Sequence, residues 1–399
     1  MEITKTQKIL LGVLSQALTG TEYVLPKDVD WAALFEESKK QAVIPMVFSC
    51  ISQQCTDREV YNNWKSITIF FLQKNSRIHS QHGILHKILT ENGIPYTVIK
   101  GSASALDYPD PMMRAMGDVD FLVPESHWNE AKEVLQREGF TSSGENHPFH
   151  LAFHKKGFEM EMHREPFGLQ GDGVEELLKV VPELVENSVP VSLENIDFRM
   201  PDAFGHGIVL LLHAYRHLVD SGIGVRHLCD WAAFISGFSG DEFARIFQTR
   251  FEKLGIWKLA QIFSATAHVY LSASYQEWMG EISEEVCRML MIDILDGGNF
   301  GSGDKERRTQ NRSIYTKDNK LSDDGKVIQM IRSLNQTAIE DYPKAMNIKI
   351  LRPFGWIAIC FRYVFRVLTG KRKKLPMSTM QMVSMRKKLY QQFNAFDKK

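Results

Sequence analysis

The sequence predicts an α+β fold that is mostly helical, in which N-terminal and C-terminal helical regions flank a small core that contains strands. Two observations support this prediction. Apolar residues recur at helical spacing from residue 1 to about 92 and again from 202 to about 295. Between these regions the spacing changes to the alternation that is typical of strands. The chain of 399 residues is long enough for roughly two to three domains.

Changes in composition and periodicity suggest where the regions begin and end. They predict an N-terminal helical region over 1–92, a core over 93–200, a helical domain over 201–296, a polar loop or linker over 297–345 and a C-terminal helical tail over 346–399. The linker is predicted because its first part is polar and contains glycines.

The N-terminal region raises two local questions. Lysines and a short apolar run open the chain, but Ser15 and Gln16 interrupt that run. This favours an amphipathic first helix over a signal peptide. The first of two Asp-Val-Asp copies is followed by a helical pattern, so we expect Asp28 or Asp30 to cap that helix.

The core contains the strand-like segments. The predicted elements are strands at 94–100 and 118–123, a helix at 125–139 and a β-hairpin at 149–163. The first strand ends at Lys100, and a short helix is expected over 103–108. The second copy of Asp-Val-Asp therefore begins a strand, whereas the first precedes a helix.

Composition limits the classes of partner and location. The formal net charge is zero, so we expect no nucleic-acid partner. The five cysteines are scattered and form no C-x-x-C motif, which argues against a disulfide framework or a cysteine zinc site and fits the cytoplasm. No run of apolar residues is long enough to predict a transmembrane helix. The segment 351–374 combines large apolar residues with a basic end, which fits either a core helix or peripheral contact with the inner membrane surface.

Asp118 and Asp120 are the first candidate site residues. Alternate side chains of a strand share a face, so these two carboxylates lie roughly 7 Å apart along the chain on one side. Val119, Phe121 and Val123 then face the opposite side and are expected to pack on helices. Two carboxylates on one face of a buried strand are costly unless a cation balances them. Mg²⁺ is suited to this role, because it binds through carboxylates and substrate phosphates.

The residues before and after this strand extend the pattern. Gly101 and Ser102 lie between a strand and a short helix, where the backbone and a hydroxyl can approach a phosphate. In the predicted hairpin, Glu159, Glu161 and His163 alternate with apolar residues and share one face. A third carboxylate there would complete a metal site or act as a general base.

A pair of histidines in the later helical region is a weaker candidate for a functional site. His213 and His217 are four residues apart on a predicted helix, a spacing that can bind zinc, with Asp230 as a third candidate. The residues between them lack the glutamate of H-E-x-x-H. Packing, or lining a cleft opposite the core, is therefore the favoured interpretation. No G-x-S-x-G or P-loop motif is present, which argues against hydrolases with that serine motif and against P-loop proteins.

These residues carry a family resemblance. Gly101-Ser102, Asp118-x-Asp120 and a later acidic strand residue resemble the signature of the nucleotidyltransferase fold superfamily, which includes DNA polymerase beta. The stretch KGSASALDYPDPMMRAMGDVDFLV more closely resembles the uncharacterised bacterial nucleotidyltransferase family. Glu161-Met162-His163 stands where that family has an acidic residue, an apolar residue and His. Glu161 departs from the pattern because it replaces the more usual Asp, and Arg164 stands in place of Trp. The spacing from Gly-Ser to Asp-x-Asp is also longer than in many enzymes of the superfamily, although it suits the closer family.

The resemblance implies a fold and an activity. The sheet would be the small mixed sheet of a nucleotidyltransferase core. The activity would be Mg²⁺-dependent transfer, with Mn²⁺ as the alternative ion, of a nucleoside monophosphate from an NTP such as ATP to a hydroxyl of a small molecule, sugar or protein. Asp118, Asp120 and Glu161 would be the catalytic and metal-binding residues. The residues at the nucleotide phosphates would be Lys100, Gly101, Ser102 and Arg114.

Two other functions remain open at this point. One is a non-catalytic nucleotide-binding or regulatory protein of the same fold. The other is a membrane-surface protein that binds a partner through its helical parts.

Overall fold

The computed structural model describes residues 2–144, 149–169, 174–301, 352–368 and 377–396, together with Arg307, Asn311, Asn335, Ala338 and Met346. Helices occupy both ends of this set, and the strands lie between them. Most of the predicted linker over 297–345 lies outside the described residues, so the domain boundaries stay predictions.

The N-terminal region is helical, as its apolar spacing predicts. Its helices are α1 (Lys5–Thr19), α2 (Trp31–Lys40), α3 (Ile44–Ile51) and α4 (Arg58–Glu91). Asp30 is the N-cap of α2, and its side chain accepts a hydrogen bond from the amide of Ala33 at 2.9 Å. Asp28 instead forms an exposed ion pair with Lys5. The first Asp-Val-Asp is therefore a helix start, and the predicted capping role belongs to Asp30.

A five-stranded sheet forms the centre of the core. The elements are β1 (Thr97–Val98), α5 (Gly101–Ala105), β2 (Val119–Leu122), α6 (Trp128–Arg137), β3 (Thr141–Ser143), β4 (His150–Lys155) and β5 (Phe158–His163). The strand order is β1-β2-β5-β4-β3, and β2 pairs with β5 in parallel whereas the other neighbours are antiparallel. The predicted hairpin over 149–163 is confirmed as β4 and β5. The first strand is shorter than predicted because the backbone turns at Lys100, where φ is +62°.

A second hairpin lies between the core and the next helices. It follows α7 (Val174–Leu178) and α8 (Val181–Glu186), and its strands are β6 (Val189–Leu193) and β7 (Ile196–Met200). The sequence did not predict this hairpin, since Glu194 and Asn195 form its turn instead of the usual Asn-Gly. Both turn residues adopt positive φ, at 51° and 62°.

The helices that follow the second hairpin are α9 (Ala203–Val219), α10 (Val225–Ile235), α11 (Glu242–Lys253), α12 (Trp257–Leu271), α13 (Glu284–Gly297), α14 (Arg352–Leu368) and α15 (Met377–Phe393). All of them except α14 pack in the largest hydrophobic core of the described residues, whereas Ile359 of α14 belongs to a small separate cluster. The largest core joins α1, α2 and α3 to α9 through α13 and to α15, and a second core lies between α4, α6 and the sheets. The helix α4 contributes to both, with Trp64 in the first and Leu85 in the second. The predicted fold class, mostly helical α+β with a small mixed sheet, is confirmed.

The segment 351–374 is described in part, as α14. Phe354, Ile357 and Phe361 are exposed on this helix at 65%, 63% and 72%. Residues 351 and 369–374, which include the basic run, lie outside the described residues. Among the helices that the structure describes, none is long and apolar enough to cross a bilayer.

Candidate active site

The acidic residues predicted from the sequence meet on one face of the sheet. Asp118 immediately precedes β2, and Asp120 lies within it. The parallel pairing of β2 with β5 places Asp120 directly beside Glu161. Val119, Phe121 and Val123 are buried in the hydrophobic core between α4, α6 and the sheets, as the strand alternation predicts.

This face forms one wall of a cleft of about 380 Å³. The opposite wall comes from α9, α10 and the turn that contains Phe300. The predicted site residues that line the cleft are Lys100, Gly101, Arg114, Asp118, Asp120 and Glu161. The structure thus brings six of the seven predicted residues together, and the exception is Ser102.

Asp120 is the most constrained of the three carboxylates. Its Oδ1 atom lies 3.0 Å from Lys100 Nζ and 2.8 Å from His163 Nε2. Burial alone would raise the pKa of Asp120, but Lys100 and His163 hold it below its ordinary value. Burial likewise opposes charge on His163, yet its hydrogen bonds to Asp120 and Glu161 raise the pKa of the imidazole. Asp120 is therefore ionised, and its negative charge is balanced by Lys100 and His163.

Asp118 has the opposite electrostatic environment. The charge of Asp120, then burial, then the charge of Glu161 raise the pKa of Asp118 to about 7. Carboxylates that crowd one another in this way lack sufficient positive charge from the protein. A divalent cation with oxygen ligands would supply it, so the chemistry of this donor set fits Mg²⁺.

Glu161 also belongs to a group that includes two histidines. Ligand atoms of His150, Glu161 and His163 all lie within 4.8 Å of one another. The distances from Glu161 carboxylate oxygens are 3.7 Å to His150 Nε2 and 3.5 Å to His163 Nε2. Burial would raise the pKa of Glu161, but its hydrogen bond with His163, which is the largest influence, lowers it. Sequence reasoning missed His150, although its position opposite His163 follows from the hairpin turn.

The turn between β1 and α5 is held in an unusual conformation. Lys100 adopts φ +62° and Gly101 adopts φ +46°. A residue other than glycine in such a conformation stores strain and is found most often at functional sites. At Gly101 a Cβ atom would lie 3.5 Å from the carbonyl oxygen of Asp118. The positive φ is what favours glycine here, since that Cβ atom would make only an ordinary van der Waals contact.

Arg114 is an internal ion-pair partner as well as a lining residue. Its Nε and Nη2 atoms donate to the two carboxylate oxygens of Asp230 at 2.7 and 2.8 Å, and Nη1 donates to the Gly101 carbonyl at 3.1 Å. Tyr108 donates a further hydrogen bond to Asp230 at 2.5 Å. The charge predicted to meet phosphate is therefore balanced within the protein, and the guanidinium fastens the Gly101 turn to α10.

Two other residues considered from the sequence lie away from the cleft. The hydroxyl of Ser102 is fully buried and directed to Met116 Sδ at 3.5 Å. The expected short helix over 103–108 begins earlier, at Gly101, which turns Ser102 inward and leaves Ser104 at the cleft. The Ser104 hydroxyl has no hydrogen-bond partner among the described residues. Glu159 is exposed on β5 and does not line the cleft.

The opposite wall is rich in histidine and arginine. It contains His213, Arg216, His217, Arg226 and His227. The ring centroids of His213 and His217 lie 4.5 Å apart, and both residues line the cleft, as the favoured interpretation predicted. Asp230, the third candidate for a zinc site, is instead bound by Arg114 and Tyr108. Sequence reasoning assigned no role to Arg216, Arg226 or His227.

Comparison with known proteins gives three results. Residues 27–272 match the model of a family described as uncharacterised nucleotidyltransferase. No curated protein matches the chain. Three solved chains match, among them the crystal structure of an antigenic nucleotidyltransferase-like protein from Paracoccidioides brasiliensis. That structure is 14% identical, with a TM-score of 0.32, and the alignment covers 50% of this chain and 94% of the other.

The family match contains the carboxylates, the turn before α5 and the lining residues of α9 and α10. It confirms the family resemblance noted in the sequence. Because the match spans more than half of the chain, this protein belongs to the uncharacterised nucleotidyltransferase family.

Proposed function

We propose that this protein is a metal-dependent nucleotidyltransferase that moves a nucleoside monophosphate from an NTP to a hydroxyl of a small molecule, sugar or protein. The observation that carries the proposal is the meeting of Asp118, Asp120 and Glu161 on one cleft wall, where mutual repulsion raises the pKa of Asp118 to about 7. Such a group is unfavourable without a cation and is suited to binding one.

Asp118, Asp120 and Glu161 would hold Mg²⁺, or Mn²⁺, in this cleft. The ion would neutralise phosphate oxygens during displacement of the leaving pyrophosphate. Glu161 has a second proposed role as acceptor of the proton from the attacking hydroxyl. His163 and His150 would keep this carboxylate in the ionised form that can accept a proton, because their interactions lower the pKa of Glu161.

Lys100 and the turn that follows it are the proposed contacts for the nucleotide phosphates. The Lys100 ammonium is in the cleft and carries the charge that phosphate requires. Ser104 is a better candidate than Ser102 for a hydroxyl contact, because its buried Oγ lacks a partner among the described residues and it lines the cleft. Arg114 would hold the turn in position and would not bind phosphate itself. Its guanidinium donates to the carbonyl of Gly101, and its charge is balanced by Asp230.

One observation favours the non-catalytic alternative. Asp120 is already paired with Lys100 and His163, so this carboxylate is compensated without a metal ion. A protein that binds nucleotide without turnover would use the same cleft. Release of pyrophosphate separates the two functions, because only transfer produces it.

A thermal-shift experiment tests the proposal. ATP, CTP, GTP and UTP are each added with and without Mg²⁺, and we expect at least one to raise the Tm only when the metal is present. Asp118→Asn and Asp120→Asn should abolish that shift. Glu159→Gln is the matched control, since it changes an exposed carboxylate on the same strand as Glu161 and should retain the full shift. Absence of any metal-dependent stabilisation would contradict the proposal.

A further inference from the structure

The wall of the cleft opposite the carboxylates is basic, and the proposed metal site does not use it. Arg216 lies on α9, and Arg226 and His227 lie on α10, facing the wall that carries the acids. The carboxylate of Asp230 is also on this wall, but Arg114 occupies both of its oxygens. The wall therefore has an excess of positive charge and of hydrogen-bond donors.

His227 is the clearest sign that this wall receives a ligand. The residue is 4% exposed and lines the cleft. Neither ring nitrogen has a hydrogen-bond partner among the described residues. A buried polar group without a partner costs free energy, and such groups in native proteins call for an explanation such as a ligand.

Arg226 is a cation that its neighbours do not satisfy. Its nearest carboxylate oxygen among the described residues is Oδ2 of Asp230, at 4.0 Å. The same oxygen accepts a hydrogen bond from Arg114 at 2.8 Å. The guanidinium is largely enclosed, with its side chain 14% exposed. A buried arginine of this kind is well suited to binding an oxyanion.

Arg216 brings a second guanidinium to the same cleft. It packs over the backbone of Gly168, where a Cβ atom would come within 2.3 Å of its Cζ atom. Its guanidinium also lies 5.7 Å from the ring centroid of Phe149. These contacts hold the side chain in place without neutralising it, and no carboxylate among the described residues lies within ion-pair distance.

We propose that Arg216, Arg226 and His227 bind an oxyanion, a phosphate or carboxylate group, that belongs to the acceptor substrate. The assignment to the acceptor rests on the proposed function, because that function assigns the nucleotide phosphates to Lys100 and the turn that follows it, across the cleft from these three residues. A neutral acceptor would leave two guanidinium groups and an imidazole without partners. An anionic acceptor satisfies them and directs its hydroxyl toward Glu161.

Binding of inorganic phosphate tests this site separately from nucleotidyl transfer. Affinity is measured by calorimetry on the full chain in metal-free buffer, with chloride to hold ionic strength constant. We expect Arg226→Gln and Arg216→Gln each to weaken phosphate binding by about tenfold or more, the usual effect of losing a charge-assisted contact. Arg245→Gln is the control, because Arg245 is an exposed arginine on α11, and it should bind phosphate as the wild type does. The Tm of each variant without phosphate reports whether it is folded.

Two results would overturn the inference. The first is that the wild type and both folded variants bind phosphate with equal affinity. The phosphate would then be an adventitious ion only, or would bind at another site, and the proposed site would be refuted. Loss of phosphate binding when Mg²⁺ and a non-hydrolysable nucleotide are added would assign the site to the nucleotide. If no nucleotide binds at all, the proposed function fails, yet phosphate binding that depends on Arg226 would still establish the oxyanion site.

Discussion

Arg114 and Asp230, which are 116 residues apart in the sequence, form a buried ion pair with two hydrogen bonds at 2.7 and 2.8 Å. The pair joins the segment before β2 to helix α10. Arg114 also donates a hydrogen bond to the Gly101 carbonyl, so the same guanidinium links the turn between β1 and α5 to the opposite wall. One side chain thus joins the two walls of the cleft.

Breaking this pair is expected to destabilise the protein. Arg114→Ala leaves Asp230 as a buried charge with a weakened complement, and losses of about 3–5 kcal/mol are usual for such changes. Arg245→Ala, which removes an exposed arginine whose nearest acid lies at 3.4 Å, should cost less than about 1 kcal/mol. Urea unfolding measures both free energies. Similar small losses in the two variants would contradict the structural role of Arg114.

Repulsion among the carboxylates predicts a variant that is more stable than the wild type. Because the folded-state pKa of Asp118 is raised from an ordinary value near 4 to about 7, the folded protein binds more protons between these values. Binding of this proton stabilises the folded state at low pH, and that stabilisation is lost as pH rises toward 7. Asp118→Asn should therefore raise the free energy of unfolding at about pH 8 in metal-free buffer, since each pKa unit corresponds to about 1.4 kcal/mol.

The comparison at acidic pH is the control for this prediction. Near pH 4 the wild-type carboxyl is mostly protonated in the folded state, so Asp118→Asn should then have little effect. Chemical unfolding at both pH values measures the difference. A variant that is destabilised equally at both pH values would show that Asp118 is not repelled by its neighbours.

A buried charge cluster connects the C-terminal helix α15 to α13. Asp293 accepts hydrogen bonds from Arg307 at 2.6 Å and Arg386 at 2.7 Å, and all three side chains are fully buried. Asp293→Asn should cost about 3–5 kcal/mol, because the buried Arg307 and Arg386 each lose a charged partner. Asp296→Asn also removes a partner of Arg386, but that carboxylate is 40% exposed, so the loss should be smaller. Thermal unfolding ranks the two variants, and the reverse order would contradict this account.

Helix α14 provides the test of whether 351–374 contacts a membrane surface, one of the two alternatives for this segment. Phe354, Ile357 and Phe361 are spaced by three and four residues, so these exposed side chains share one helix face. We expect the protein to sediment with vesicles that contain anionic lipid and expect serine at all three positions to reduce sedimentation several-fold. Serine at Ile69 and Phe70, which are exposed on α4, is the control. If the α14 variant sediments as much as the wild type does, the helix has no role in membrane binding.

Sequence reasoning located the acidic wall because its signal is local. Strand alternation alone places Asp118 and Asp120 on one face of their strand, and Glu161 and His163 on one face of theirs. The parallel pairing of β2 with β5 then brings the two sets together on the same side of the sheet. An error of two residues at the start of α5 was enough to select Ser102 instead of Ser104. The choice between the two serines depends on which side of a short helix faces the core, and the sequence does not specify that side.

The opposite wall was not predictable in the same way. Arg226 and His227 are adjacent on a helix whose other residues are mostly buried, and no short motif marks them. Asp230 was considered as a zinc ligand with two histidines, whereas its partner is Arg114, on a distant segment. Such pairings arise from tertiary packing between regions that carry no mutual sequence pattern.

The central claim is that Asp118, Asp120 and Glu161 hold a divalent cation. Binding of Mn²⁺ to the full chain, followed by electron paramagnetic resonance, tests it most directly, because the readout requires neither nucleotide nor acceptor. We expect affinity to rise from about pH 6 to about pH 8, as Asp118 loses its proton near pH 7, and we expect Asp118→Asn and Asp120→Asn to weaken binding severely. Glu159→Gln should bind as the wild type does. Unchanged Mn²⁺ affinity in the two aspartate variants, or no binding by the wild type, would contradict the account.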